Sequence, residues 1–410
     1  MSPHGSELTG RRIGSWRVEE RIGRGASGEV YRAARVEGGY NQTVAVKVLR
    51  TGVSPAELEN ERQQLEALSG SSYFPQLYSS GTLDDGRQYL VMEFVRGEPL
   101  DRHADEFALD TPARIRLFLQ LCRAIEQMHG AGISHFDLKP AHVLVTEHGG
   151  VKVIDFGLAR KLRPEGAEDI AGAGDPVTLE FTSPEQVTPG APLTMASDVY
   201  SLGAILYLLL THRTPLQLAE RPAGERIRAI QEAAPVKASD AVMLPAPERV
   251  IRLRPASPSV LRSQIRGGLD LILSVALHKD MARRYRTVPN LREDLERFLD
   301  NKRPLAKSDG FAYRAVQVTR SQPAWAAAVG LVLLSFYAKA VVEVFGSGMR
   351  ERAAVSWSEL HVPVQETARR WKADLRPVAA SNPDFLQELR RLDHLLANVE
   401  SLSPPSMGKE

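Results

Sequence analysis

The chain has 410 residues, 43% apolar and 25% charged, the balance of an ordinary globular protein rather than a disordered one. A formal net charge of +2 gives no reason to expect a strongly charged partner, and no nucleic-acid partner is expected. The single Cys122 excludes a disulfide framework and multi-cysteine metal sites, and its apolar neighbours predict a packed core thiol.

Residues 1–14 are polar and without pattern, and they lack the basic-then-apolar signature of a secretory leader. The first 300 or so residues are therefore expected to fold in the cytoplasm. From Trp16 the pattern turns to strand. Ile22 to Val30 then sets Gly23, Gly25 and Gly28 between two extended runs. Glycines at this spacing let backbone amides close over phosphates, because no side chain keeps the chain away. A strand follows them from Glu29 to Arg35, where a dinucleotide site has a helix. Thr43 to Leu49 is a further strand whose valines and alanine suggest cover on both faces, so Lys47 within it needs a buried partner.

Ser54-Pro-Ala-Glu57 has the form of a capping box with proline at the first helical position. The helix it opens carries Leu58, Leu65 and Leu68 on one stripe, and Glu61 shares that stripe. Strands near Leu77–Thr82 and Gln88–Phe94 are joined by an Asp-Asp-Gly turn. A long amphipathic helix covers 112–130. Asp137 and Lys139 lie beside Pro140, hence in a loop. The apolar runs Val143–Val145 and Val151–Ile154 flank Glu-His-Gly-Gly and read as a hairpin. A hairpin closes its open end, so Asp137, Lys139, His142 and Asp155 are expected to converge. Two carboxylates and an ammonium are costly to desolvate together unless they share a ligand such as a phosphate with its divalent cation.

Leu158 to Val177 has no sustained periodicity and reads as a mobile loop. Ala196 onward opens a strongly apolar helix with Asp198 near its mouth. Residues 214–262 read as a proline-rich, loop-broken helical region, and helical periodicity resumes from Leu269 to Leu299.

The order His-x-Asp-x-Lys-Pro, a short hairpin, then Asp155-Phe-Gly resembles the catalytic core of the protein kinase family. The glycine run followed by Val-Ala-Val-Lys47 looks like that family's amino-terminal lobe. The resemblance spans about 16–300, and its nearest form is a bacterial, membrane-anchored serine/threonine kinase. It implies an α+β, two-lobed fold: a small β-rich N-lobe (15–95) and a larger helical C-lobe (96–300). It implies ATP bound by Ile22, Gly23, Gly25, Gly28, Val30, Ala45, Lys47, Glu61, Met92, Glu93, Val95 and Leu144. Met92 would back the adenine, and backbone groups of Glu93 and Val95 would bond it. Asp137 would accept the proton of a protein serine or threonine hydroxyl, Lys139 would steady the transferred phosphoryl group, and Thr178 would touch Asp137. Asp155 would bind Mg²⁺. Asp198 would cap the catalytic loop, and Arg284 would pair with Glu185.

Two positions depart from the family pattern. Phe136 replaces an arginine that usually grips an activation-segment phosphate, and Leu158–Val177 contains no Ser, Thr or Tyr. Activation by phosphorylation within that stretch is not expected. His142 replaces a metal-binding asparagine. An imidazole is a softer ligand, which predicts slower catalysis or a preference for Mn²⁺, with a nucleotide-binding pseudokinase scaffold as the alternative.

A linker is expected at 301–323, with Lys307, Arg314 and Arg320 giving a mild positive-inside bias. The run from Ala324 is uncharged for 15 residues and reaches spanning length only by continuing through Lys339 and Glu343 to Phe345. A single transmembrane helix at 324–345 is expected, in the inner membrane with the kinase on the cytoplasmic side, with a buried or oligomerising helix as the alternative. A helical tail at 346–410 would act as a sensor whose association brings two copies together as a homodimer.

Overall fold

The structure, a computed structural model, describes residues 8–25, 28–36, 42–50, 55–156, 160–161 and 179–306. Strands β1 (Arg12–Ile13), β2 (Trp16–Arg24), β3 (Gly28–Arg35), β4 (Thr43–Leu49), β5 (Leu77–Thr82) and β6 (Gln88–Glu93) form an antiparallel sheet ordered β1-β2-β3-β4-β6-β5. Period-two alternation sorts β4 cleanly. Val44, Val46 and Val48 face a cluster with Leu8, Ile13, Val18, Tyr31, Ala33 and Val91. Ala45 and Lys47 face the other way, so the strand is buried on both sides.

Helix α1 (Pro55–Ala67) lies against that second face. Leu58, Leu65 and Leu68 are 5%, 1% and 6% exposed, and Glu61 on the same stripe is only 3% exposed. Ser54 and the Glu57 side chain, invoked for the capping box, lie outside the described residues.

After β7 (Gly97–Pro99) and α2 (Leu100–Glu106) the chain becomes helical. Helix α3 (Thr111–Gly130) starts where Asp110 accepts from the Ala113 amide at 2.8 Å, with Pro112 in its first turn. Ile115, Phe118, Leu121, Cys122 and Ile125 are fully buried on its inner face. Each such side chain contributes on the order of 1.5–3 kcal/mol, so Phe118→Ala alone is expected to cost about 3–5 kcal/mol. Strand β8 (Ile133–Ser134) leads into the loop of Asp137. A 3₁₀ turn, Pro140–His142, then hands the chain to the hairpin β9 (Val143–Thr146) and β10 (Val151–Val153). Their antiparallel register pairs Val145 with Val151 and Val143 with Val153. Proline therefore opens one tight turn here, where the sequence reading had only a loop.

Within the stretch read as a mobile loop, Arg160–Lys161 forms β11 and pairs with β8. Helix α4 (Met195–Thr211), capped by Thr194, is buried on nearly every face. The proline-rich region resolves into α5 (Ala223–Glu232), α6 (Ala238–Ala241), α7 (Glu248–Leu253) and α8 (Pro258–Ile265), followed by α9 (Gly268–Ala276) and α10 (Val288–Leu299). Residues assigned to the start of a linker instead pack back: the amides of Leu305 and Ala306 donate to Asp294 at 2.5 and 2.9 Å. Among the described residues no helix is long and apolar enough to cross a membrane. Residues 324–345 and the tail lie outside them.

Candidate active site

Strand pairing decides which side chains share the cleft face, because residues directly opposite in a ladder point the same way. Lys47 sits between Val30 on β3 and Leu90 on β6, and Ala45 lies opposite Met92. Val30, Ala45, Lys47 and Met92 therefore line one face. Ile22, near the end of β2, is 45% exposed.

The three glycines of the first turn have different reasons to be glycine. A Cβ at Gly28 would stand 2.2 Å from the Val48 carbonyl oxygen, so strand packing requires it. A Cβ at Gly23 would touch only Val30, and at Gly25 it would meet nothing within 4 Å. Packing among the described residues therefore does not dictate a glycine at Gly25.

Lys47 is 4% exposed, and its Nζ donates to Glu61 Oε1 and Oε2 at 2.7 and 2.8 Å and to Asp155 Oδ1 at 2.9 Å. Burial opposes the ammonium charge, but Glu61 and then Asp155 outweigh it and push the Lys47 pKa up. Glu61 also takes a backbone hydrogen bond from Phe156. Asp155 adopts a left-handed backbone, φ +64°. That conformation is costly for a non-glycine residue and is maintained by its neighbours. Phe156 is buried edge-on to Phe74 at 5.8 Å, and the Ile154 amide donates to the His142 carbonyl at 2.8 Å.

On the loop, Lys139 Nζ donates to Asp137 Oδ2 at 2.9 Å. Burial, partly offset by Lys139, pushes the Asp137 pKa above the usual carboxylate value. His142 Nδ1 lies 2.9 Å from the Asp137 carbonyl oxygen, which only accepts, so Nδ1 is the protonated nitrogen. Burial lowers the His142 pKa to about 4, leaving a neutral ring. Its Nε2 lone pair then faces Asp155 Oδ2 at 3.4 Å. Two acceptors held face to face are what a cation between them would reconcile.

The loop backbone is tied down from the helical side. Asp198, fully buried, accepts from the amides of His135 and Phe136 at 2.9 and 2.8 Å and contacts His129 Nε2 at 2.8 Å. Glu185 and Arg284 form a bidentate pair with both contacts at 2.7 Å. Gln186, not singled out in the sequence, donates from Nε2 to the Phe136 carbonyl at 2.6 Å while Ser183 donates to its Oε1 at 2.9 Å. Its place directly after Ser-Pro-Glu185 was the available signal. Phe136 itself is 4% exposed at φ +61°.

Glu93 Oε2 accepts from Lys152 Nζ at 2.8 Å, and Lys152 pairs with Leu144 across the hairpin, which ties that hairpin to the end of β6. Val95 is buried at the start of the connection to the helical part. Thr178 lies outside the described residues.

A family model described as a protein kinase domain matches residues 16–293. The chain belongs to the protein kinase family. Among similar kinases, it is 32% identical over 299 residues to a probable serine/threonine-protein kinase of Streptomyces coelicolor, covering 71% of this chain and 41% of that protein. It is 32% identical over 289 residues to a probable serine/threonine-protein kinase, PknB, of Corynebacterium glutamicum, covering 68% and 41%. It is 38% identical over 217 residues to the serine/threonine-protein kinase PknK of Mycobacterium bovis, covering 51% and 18%. The chain thus spans about two fifths of the length of the first two of these kinases. Lys47, Glu61, Asp137, Lys139, Asp155, Asp198, Glu185 and Arg284 all fall within the matched stretch.

Proposed function

We propose that this kinase transfers the γ-phosphoryl group of ATP to serine or threonine hydroxyls of proteins. The observation that carries the reading is the convergence of Lys47, paired with buried Glu61, on Asp155, while Asp137 and Lys139 sit one turn from His142. Lys47 neutralises phosphate oxygens and is held in place by Glu61. Asp137 orients the acceptor hydroxyl and takes its proton. Lys139 steadies the phosphoryl group in flight, and the apolar face of Val30, Ala45 and Met92 receives the base. Catalysis of this kind is positioning and charge neutralisation.

Asp155 and His142 would hold a divalent cation, whose chemistry is to offset charge on the phosphates. Two ligands side by side on one ion, each at roughly 2.1 Å, stand about 3.0 Å apart, close to the 3.4 Å between Nε2 and Oδ2. A nitrogen donor favours Mn²⁺ more than an amide oxygen does. With Lys47, Asp137 and Asp155 all present, the donor set supports an active enzyme over a scaffold.

Phe136 brings no charge toward an activation-segment phosphate, so turnover proceeds without phosphorylation of that segment; phosphate mapping of active protein that found a required site at Thr178 or Thr182, the nearby candidates, would overturn this. The membrane tether at 324–345, cytoplasmic exposure of the kinase and self-association through 346–410 belong to the same proposal. They rest on the length and charge flanks of the apolar run. Carbonate extraction that released the full chain from membranes would remove the tether.

The direct test is autophosphorylation of the purified chain with labelled ATP beside Asp137→Asn. Labelling of the wild type, reduced about 100- to 10,000-fold in the variant, is expected. Equal labelling in both would sink the assignment.

A further inference from the structure

Ser183-Pro-Glu-Gln186 closes as a capping box, and capping accounts for only half of the Gln186 side chain. Its Oε1 accepts from the Ser183 amide at 3.0 Å and from the Ser183 hydroxyl at 2.9 Å, as the last residue of such a box does. Because the Ser183 amide can only donate, this atom is the oxygen and its twin is the nitrogen. A cap makes no demand on that nitrogen, which water could meet at a surface. Here Gln186 is 6% exposed, and Nε2 donates to the Phe136 carbonyl at 2.6 Å.

That carbonyl belongs to the peptide that carries Asp137. Phe136 sits at φ +61°, a conformation its surroundings must maintain. The dihedrals of Phe136 are the relative orientation of its two flanking peptide planes. Asp198 holds the first plane through the Phe136 amide at 2.8 Å, and Gln186 holds the second through the Phe136 carbonyl. If the second plane were to rotate, the Asp137 carboxylate would turn with it. On its far side that plane has only the longer bond from the Asp137 amide to His135 Nδ1, at 3.3 Å. Gln186 itself stands on a firm base, since Glu185 beside it is held by Arg284 and by the Ser197 hydroxyl, each at 2.7 Å. The tie uses a backbone atom and carries no charge, so it works with phenylalanine at 136.

We propose that Gln186 is a positioning residue for phosphoryl transfer: by holding the 136–137 peptide it aims the Asp137 carboxylate at the acceptor hydroxyl. This rests on the phosphoryl-transfer reading given above.

Gln186→Glu separates the two halves of the side chain. A capping box takes Glu as readily as Gln, so the bond from Ser183 survives, while the donor to Phe136 becomes an acceptor. The test is the autophosphorylation rate of the full chain at varied labelled ATP with Mg²⁺, expressed per nucleotide site. The sites are counted by titration with a fluorescent ATP analogue. The maximal rate per site is expected to fall about 10- to 100-fold, as misplacement of a catalytic group by about 1 Å does. The KM for ATP should stay within about twofold, because Lys47 and Glu61 are untouched. Thr188→Val removes a hydroxyl that donates to the Pro184 carbonyl at 2.8 Å, loosening the same turn without touching the loop, and should leave the rate per site unchanged. Equal rates per site for Gln186→Glu and wild type overturn the proposal. So does a loss confined to the number of sites, or one that Thr188→Val reproduces, since either would make Gln186 a fold-stabilising cap alone. A wild type without turnover would instead sink the phosphoryl-transfer reading, and this proposal with it.

Discussion

Lys47 and Lys279 are both lysines turned into the protein, and the chain treats them oppositely. Lys47 has two carboxylates, Glu61 and Asp155, within 2.9 Å, and its charge is reinforced. Lys279 donates to the Ile230 carbonyl at 2.7 Å and the Tyr200 hydroxyl at 3.2 Å, while Arg284 lies over the same tyrosine ring. Burial first, then Arg284, lowers its pKa to about 7. Burial is common to the two, so the partners decide. In the cleft the charge is kept, whereas at the Glu185–Arg284 joint a second cation is tolerated by losing its proton.

Four substitutions sharpen or break this contrast. Arg284→Met leaves Glu185 buried without its cation and is expected to cost about 3–5 kcal/mol in urea unfolding; a cost under about 1 kcal/mol would show the joint to be dispensable. Lys47→Met likewise leaves Glu61 buried without its cation, at a similar cost in stability, and should lower phosphoryl transfer about 100- to 1,000-fold. Comparable rates for variant and wild type would end the distinction between the two lysines. His142→Asn should shift the ratio of Mn²⁺- to Mg²⁺-supported rate toward Mg²⁺ by about tenfold. An unchanged ratio would remove the imidazole from the metal's surroundings.

The last effect, read against pH, concerns Lys279. Between about pH 7 and its unfolded value of 10.5 the unfolded chain holds a proton that the folded one lacks, so stability rises with pH across that window. The gain is fully present above the unfolded pKa and is lost as pH falls through about 7. The slope is at most about 1.4 kcal/mol per pH unit. Thermal melts of Lys279→Met should lack that component; identical profiles would mean that Lys279 stays protonated throughout.

Much of the cleft was legible in the one-dimensional pattern. The strand Thr43–Leu49, the stripe of Leu58, Glu61 and Leu65, and the hairpin around Gly149 follow from periods of 2.0 and 3.6 and from turn chemistry, which are local. The convergence of Asp137 and Asp155 follows from hairpin closure. Residues 214–262 read correctly as a loop-broken helical region, but the individual helices were not placed, because helices of four to ten residues carry too few periods to register and are held by tertiary contact. The same holds for the role of Gln186, which depends on a carbonyl 50 residues away.

The sequence by itself determined the family, the order of its functional residues and the two positions, Phe136 and His142, where it departs from the common pattern. Only the tertiary structure decided which nitrogen of His142 carries the proton and that Gly28 is dictated by a neighbouring carbonyl. The physical reason is range. Propensity and periodicity act over a few residues, whereas hydrogen-bond direction and charge balance are settled among groups that the fold alone brings within a few ångströms.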